Sequence, residues 1–397
     1  MAAQKSLEIL KKASEDVNFR DYIDGIVDRI IQMLRNGLTM NSVIKEVESP
    51  RRVTEFCFNL ARSRLEVKEK FAHWDRLWFD SYTASYSTPE VVASYRAKRL
   101  SGENILDAGC GAGIQAIYFS LEGSETVAVE KDIGRYYMSR INAGVMGAKL
   151  KIVRGDVTAL DLSSLNRISL IFSDPERPPS QIERDLQHLI PSPGVIMSHF
   201  KTVTEDFVFD IPPQMRWNKI DMDGEKEYIS VSGRLNRLTV YLGRFRRSDV
   251  SAVMLPSGMR FQGKPDCSEN NQSGQVKRYL YVVDPSLVYA CLWKQLENGS
   301  VDYLGKDDRR IILTSEELIG SFPGERFQVV SAGSDIKDIL KGAPVGRIFP
   351  RYSSTDYYTL KRELEGLTGG GPDGHVFRLP GKFVLAVKLP GSAQGPT

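Results

Sequence analysis

The 397-residue sequence has no run of 18 uncharged apolar residues, so nothing in it reads as a membrane span. Its first sixteen residues, MAAQKSLEILKKASED, are charged from the outset and lack an apolar stretch ahead of a cleavage site. Export is therefore not expected, and a cytoplasmic protein is. Cysteine is scarce: Cys57, Cys110, Cys267 and Cys291 are scattered, with no C-x-x-C pair and no histidine cluster beside them. That pattern predicts a reducing compartment, no disulfide framework and no zinc site. The four histidines, His73, His188, His199 and His375, are isolated, and no metal is expected. Net charge is only +3, which excludes a histone-like polycation but leaves room for a local basic face. With 41% apolar and 26% charged residues, the composition is that of globular domains rather than a disordered chain. No internal repeat is visible.

What the chain does contain divides it into segments. Residues 1–100 carry a net +3, 101–200 a net −3 and the remainder +3. In the first eighty residues, Ile23, Ile26, Val27, Ile30, Ile31 and Leu34 recur at spacings of three and four, which paints one apolar stripe on a helix. A second helical run, rich in Arg, Lys and aromatic residues, extends from about Pro50 to Phe79. This region reads as a helical bundle packed on the next domain, or as a basic surface for a polyanion.

From Ser101 onward, short apolar strands alternate with helix-like stretches. NILDA (104–108), TVAVE (126–130), LKIVR (150–154), SLIFSD (169–174) and GVIMSHF (194–200) are the strand candidates, implying a parallel sheet covered on both faces. KEYISVSGR (226–234) and RLTVYLGRF (237–245) then read as antiparallel strands around a Ser-Gly turn. The polar stretch 262–275 is the best linker, and a mixed α and β domain follows it. The expected division is a helical region at 1–80, an α/β domain at 81–262, a linker at 263–275 and a C-terminal α+β domain at 276–397.

The residues that carry chemistry begin at Asp107-Ala108-Gly109-Cys110-Gly111-Ala112-Gly113. An apolar strand ends in an acid, and glycines then turn the chain into a helix while letting a ligand approach the backbone. Three further strands also end in acids. Glu130 suits a pair of ribose hydroxyls, and Asp156, followed by Val157, suits the exocyclic amine of adenine. Asp174 closes the fourth strand. Carboxylates at the carboxyl ends of successive parallel strands converge on the crevice where open α/β sheets bind ligands.

Asp107 to Gly113 follows the D-x-G-x-G-x-G pattern and thereby resembles the class I S-adenosylmethionine-dependent methyltransferases. The G-x-G-x-x-G spacing of NAD-binding domains is not met, because Gly113 follows Gly111 by two residues. Tyr86 to Ala97, Asp174-Pro175-Glu176-Arg177, Lys226 to Ser230, Leu238 to Gly243 and Arg278 to Pro285 narrow the resemblance to methyltransferases with a C-terminal THUMP-like domain. It covers roughly residues 70–390. The resemblance implies a Rossmann-like α/β domain, S-adenosylmethionine as cofactor and RNA, above all tRNA, as partner. The expected cofactor contacts are Thr88, Asp107, Gly109, Gly111, Gly113, Glu130, Lys131, Asp156, Val157 and Asp174.

Methyl transfer requires the acceptor to be held in line, so Asp174, Glu176 and Arg177 are the expected catalytic residues. Asp174 accepts a hydrogen bond from the substrate base, Glu176 reads or deprotonates a donor edge, and Arg177 stacks on the base or clamps a phosphate. Related enzymes acting on exocyclic amines commonly carry an aromatic residue where Glu176 and Arg177 stand here. No cysteine follows the fourth or sixth strand, which favours a nitrogen acceptor over carbon methylation, guanine being the first guess. RNA contacts are expected from Arg234, Arg237, Arg244, Arg246, Arg247, Arg347, Arg351, Lys361 and Arg362, with Tyr352, Tyr357 and Tyr358 stacking on exposed bases. The alternatives are a methyltransferase acting on a protein or small molecule, or a non-catalytic RNA-binding protein that keeps the cofactor pocket.

Overall fold

The computed structural model describes residues 2–165, 167–176, 186–268, 275–297, 299–306, 310–352 and 357–391. The chain forms two compact units, Met1–Asp210 with Leu242–Phe245, and Ile211–Tyr241 with Arg246–Thr397.

The first unit opens with helices α1 (Ala2–Glu15), α2 (Val17–Arg35), α3 (Met40–Glu46) and α4 (Arg51–Val67). Asp16 starts α2 by accepting the Phe19 N–H, and the stripe Ile23, Ile26, Val27, Ile30 and Ile31 is buried as the spacing predicts. These side chains share a core with Cys57, Leu60 and Ala61 of α4. Arg64 of α4 is fully buried and donates to Asp24 of α2 at 2.6 Å and to the Leu77 carbonyl at 3.0 Å. The expected second helix therefore ends at Val67, twelve residues short of Phe79. Beyond it, side chains take carbonyls of the turns that follow. Arg64 holds those of Arg76 and Leu77, and Lys70 Nζ holds those of Ala84 and Ser85. Two short helices follow, α5 (Ser81–Tyr86) and α6 (Glu90–Arg99).

The α/β part consists of β1 (Asn104–Ala108), α7 (Ile114–Leu121), β2 (Glu125–Glu130), α8 (Ile133–Val145), β3 (Lys151–Arg154), β4 (Leu170–Ser173), α9 (Pro193–Phe200) and β5 (Phe207–Ile211). The strands are parallel in the order β3-β2-β1-β4-β5. The order reverses beside β1, which places the crevice at the carboxyl ends of β1 and β4. Met138 and Ile141 of α8 join the core of the N-terminal bundle, so the bundle covers one flank of this layer.

The stretch 194–200, expected as a strand, is helix α9. Ser192 accepts the Val195 N–H and Pro193 occupies the first turn, a combination that starts helices. Its apolar residues obey the helical period, with Ile196 and Phe200 buried and Val195 exposed. The fifth strand is instead Phe207–Ile211, buried along its whole length.

In the second unit, β6 (Glu225–Val231) and β7 (Arg234–Tyr241) form the expected antiparallel hairpin. Ser232 and Gly233 at its tip both have positive φ, 50° and 76°, as a two-residue turn matched to strand twist requires. Strands β8 (Val250–Leu255) and β9 (Met259–Gly263) extend it in the order β7-β6-β8-β9.

The later elements are β10 (Tyr279–Val283), α10 (Pro285–Tyr289), β11 (Asp302–Lys306), β12 (Ile311–Ser315), β13 (Gly324–Gly333), α11 (Ile336–Leu340), β14 (Ile348–Pro350), α12 (Tyr357–Glu365), β15 (Gly374–Leu379) and β16 (Lys382–Lys388). Their seven strands form a sheet in the order β11-β12-β10-β13-β16-β15-β14, antiparallel except for β14 beside β15. One apolar cluster, including Leu280, Ile312, Phe327 and Phe377, fills one face. A second, including Leu340, Ile348, Leu364 and Leu385, lies under α11 and α12.

The expectation of no disulfide is corrected here: Cys267 and Cys291 are bonded, with their Cα atoms 4.9 Å apart. The Asp266 N–H donates to the Cys291 carbonyl at 2.9 Å and brings the two cysteines together. Twenty-four residues separate them in sequence, so no local spacing advertises the pair. Cys291 lies just beyond α10. Among the described residues, no helix is long and apolar enough to cross a membrane, and no group of His, Cys, Asp or Glu could hold a metal ion.

Candidate active site

Strand β1 delivers Asp107 to the crevice with its side chain almost fully buried. Its Oδ2 has no hydrogen-bond partner among the described residues. Burial, followed by the negative charges of Asp174 and Glu130, pushes its pKa up to about 8. A buried carboxyl with one orphaned oxygen is a ready acceptor for a cationic ligand group.

The turn after it needs glycine for two different reasons. Gly113, the residue before α7, has φ 84°, and a Cβ there would lie 2.8 Å from the Ser139 Cβ. Close packing of α7 on α8 excludes any side chain at that point. Gly111 has φ 57°, yet a Cβ would meet nothing within 4 Å, and the same holds at Gly109. There the backbone borders open space instead of protein, a cradle a ligand can enter.

Glu130, at the end of β2, accepts the Gly111 N–H at 2.8 Å through one oxygen and the Asp132 N–H at 2.7 Å through the other. Each oxygen keeps a second lone pair for a hydroxyl donor. Asp156 accepts the Thr158 N–H and hydroxyl through Oδ1 and pairs with Lys131 at 2.8 Å through Oδ2. These partners lower its pKa to about 2. Val157 beside it is buried, as is Thr88 ahead of α6.

Beneath the crevice lies a pair that the sequence reading missed. Arg96 of α6, fully buried, grips both oxygens of Asp210 at 2.6 and 2.5 Å and donates to Gln115 at 2.5 Å. Its guanidinium also sits 5.0 Å from the Phe172 ring centroid. Asp210 is the acid near the end of β5, and assigning the fifth strand to 194–200 hid it. Asn142 of α8 was missed too. It exchanges hydrogen bonds with the Trp78 main chain and donates to the Ala112 carbonyl of the glycine turn at 2.9 Å. Trp78 Nε1 in turn donates to Asp24, so buried polar contacts run from the N-terminal bundle to the turn.

Beyond β4, Asp174 is exposed at the crevice. Glu176 makes a two-way backbone bridge with Ile190, and its carboxylate is ion-paired with Arg135 of α8. Arg177 lies outside the described residues. Asp107, Glu130, Asp156 and Asp174 are thus all presented at the carboxyl ends of adjacent strands, as their spacing predicts.

The expected RNA-contacting cations are mostly engaged. Arg244 pairs with Glu103 and with Asp206 at 2.8 Å. Arg246 pairs with Asp223 and Asp249, and Arg347 takes Asp373 in a two-point grip at 3.0 and 2.8 Å. Arg351 is largely buried against Glu325. Lys361 lies 3.8 Å from Glu365 and 4.7 Å from the Phe349 ring centroid. Arg234, Arg247 and Arg362 are exposed, and Arg237 is half-buried. Tyr358 is exposed beside a half-buried Tyr357, while Tyr352 packs 6.1 Å from Phe383.

Comparison with known proteins gives the following matches. Residues 102–241 match the family model for RNA cap guanine-N2 methyltransferases. Over 214 residues the chain is 24% identical to an uncharacterised S-adenosylmethionine-dependent methyltransferase of Mycobacterium tuberculosis strain CDC 1551. The counterpart in strain H37Rv matches equally. The alignment takes in 52% of this chain and 57% of the relative, so the chain spans little more than half the length of these curated relatives. Among solved structures, a protein of Porphyromonas gingivalis W83 described as a candidate methyltransferase aligns with TM-score 0.73 and 16% identity. It covers 94% of this chain and 99% of its own. The fold is the Rossmann-like fold of the class I methyltransferases.

Proposed function

We propose that this chain is an S-adenosylmethionine-dependent methyltransferase that modifies a base nitrogen of RNA, with tRNA as the substrate class and guanine as the first candidate base. The observation that carries the reading is the orphaned Asp107 carboxylate beside an open glycine turn, ringed by Glu130, Asp156 and Asp174. The matched family model and the mycobacterial relatives support it.

The residues present fit the cofactor. Asp107 would hold its ammonium group, Glu130 the ribose hydroxyls and Asp156 the adenine amine, with Val157 against the ring and Thr88 and Lys131 at the margin. When bound, the cofactor supplies a methyl group already activated on a sulfonium. The protein's share of the work is therefore alignment of the acceptor. Asp174 accepts a hydrogen bond from the acceptor N–H and fixes the nitrogen's orientation. Glu176, anchored by Arg135, presents a second acceptor along the same edge. The C-terminal sheet serves as the THUMP-like module for RNA, with Arg347, Arg351, Lys361 and Arg362 as its contacts.

Incubation of the protein with radiolabelled S-adenosylmethionine and unmodified bulk tRNA tests the reading. Label in a methylated nucleoside, identified by mass spectrometry, is the expected result. The ion pairs that occupy Arg244, Arg246, Arg347 and Arg351 favour a second reading, a small-molecule or protein acceptor. Label confined to those pools would replace the RNA assignment, and absence of cofactor binding would remove both.

A further inference from the structure

Position 177 carries no aromatic residue, and the structure offers one from elsewhere. Asp80 and Thr83 form a reciprocal cap that starts α5, and Lys70 ties down the Ala84 and Ser85 carbonyls near its end. Tyr82 and Tyr86, four residues apart, fall on one face of this helix with ring centroids 4.7 Å apart. The Arg135 guanidinium lies 4.4 Å from the Tyr82 ring centroid. The same guanidinium is ion-paired with Glu176 and stands 3.8 Å from Asp80. Helix α5 is thereby fastened to the start of α8 and to the segment after β4, the two elements that flank the ends of β2 and β4.

Core packing does not account for Tyr86, whose side chain is 64% exposed. Tyr82, by contrast, is half-buried between Arg135 and Tyr86 and serves as its backing. Burial, followed by the negative charge of Glu176, raises the pKa of the Tyr82 hydroxyl to about 12. Because Arg135 is shared by the Tyr82 ring and the Glu176 carboxylate, the pair lies beside a carboxylate assigned to the acceptor. An anchored aromatic face beside carboxylates suits one ligand chemistry: a flat heteroaromatic ring with N–H donors on its edge. Stacking satisfies the ring, and the acids satisfy the donors.

We propose that Tyr86, backed by Tyr82 and held through Arg135, is the platform on which the acceptor purine stacks, a role that rests on the methyltransferase reading above. It supplies from α5 the aromatic face that related enzymes carry after β4.

The full chain, with guanosine 5′-monophosphate as probe, provides the test. Binding is followed by saturation-transfer NMR to the base H8 proton, and S-adenosylhomocysteine affinity is measured separately by calorimetry. The unaltered protein and Tyr86→Phe should bind the nucleotide alike. Tyr86→Ala and Tyr86→Leu should bind it roughly five- to a hundredfold more weakly, the range expected for a lost base–aromatic stack. Their affinity for S-adenosylhomocysteine should not change. Equal nucleotide binding by Tyr86→Ala overturns the platform, as does absence of transfer to the unaltered protein at millimolar nucleotide. If S-adenosylhomocysteine fails to bind, the cofactor reading falls, whereas the nucleotide comparison still decides the role of Tyr86.

Discussion

If Asp107 receives the ammonium group of the cofactor, binding must titrate with Asp107 itself. Its pKa is pushed up to about 8 from 3.8, first by burial and then by Asp174 and Glu130. The sign follows from linkage. A carboxyl that binds its proton more tightly in the folded chain contributes stability that is fully present below 3.8 and lost as pH rises through about 8. A cationic ligand does the reverse, because it binds the ionised form and must first displace the proton. Below a pKa of about 8, each unit of pH then weakens apparent affinity about tenfold. From pH 7.5 down to 6.0 the dissociation constant for S-adenosylhomocysteine should rise roughly twentyfold, while the ligand's amine stays protonated. Calorimetric titration across that range measures it. Asp107→Asn should bind roughly ten- to a hundredfold more weakly at pH 7.5, through loss of a charged hydrogen bond, and its profile should be nearly flat. A flat profile for the unaltered protein would refute the reasoning, because the proton would then have no part in binding.

Gly113→Ala should destabilise the protein by about 2 kcal/mol or more, since it combines a left-handed backbone with a contact on Ser139; a urea midpoint unchanged from the parent would show that α7 shifts freely. Asp210→Ala leaves the Arg96 guanidinium buried without its carboxylate and should cost about 3–5 kcal/mol in urea unfolding. The double change Arg96→Met with Asp210→Leu should recover most of that loss, and a double variant no better than the single would show that the pair does more than neutralise itself. Reduction of Cys267–Cys291, or Cys267→Ser, should lower unfolding stability by about 3 kcal/mol, as expected for a closed loop of this length; thermal midpoints equal with and without reductant would show that the bridge contributes nothing.

Legibility from sequence was uneven, for reasons that lie in the range of the interactions. The glycine turn, the acids ending β1 to β4, the α2 stripe and the Ser-Gly hairpin are written in short windows, where backbone conformation and strand or helix period leave a direct imprint. Stretch 194–200 was misread because a short apolar run fits a buried strand as well as a buried helix. The cap at Ser192 and Pro193 was the available signal. That single error also concealed Asp210. The arginines expected to face RNA were chosen by type, and charge alone does not disclose that Glu103, Asp223, Asp373 and Glu325 come within reach of them.

By itself, then, the sequence determined the order of the first four parallel strands, the turn that leaves room for a ligand and the row of carboxylates at the strand ends. These depend on neighbours within a few residues, so the chain carries them wherever it folds. Only the tertiary structure decided that Arg96 lies beneath the crevice against Asp210, that Cys267 meets Cys291, and that Arg135 joins the Tyr82 ring to Glu176. Each joins residues from separate elements, with 114 positions between the partners in the Arg96 pair, and no local pattern encodes an encounter that packing alone brings about.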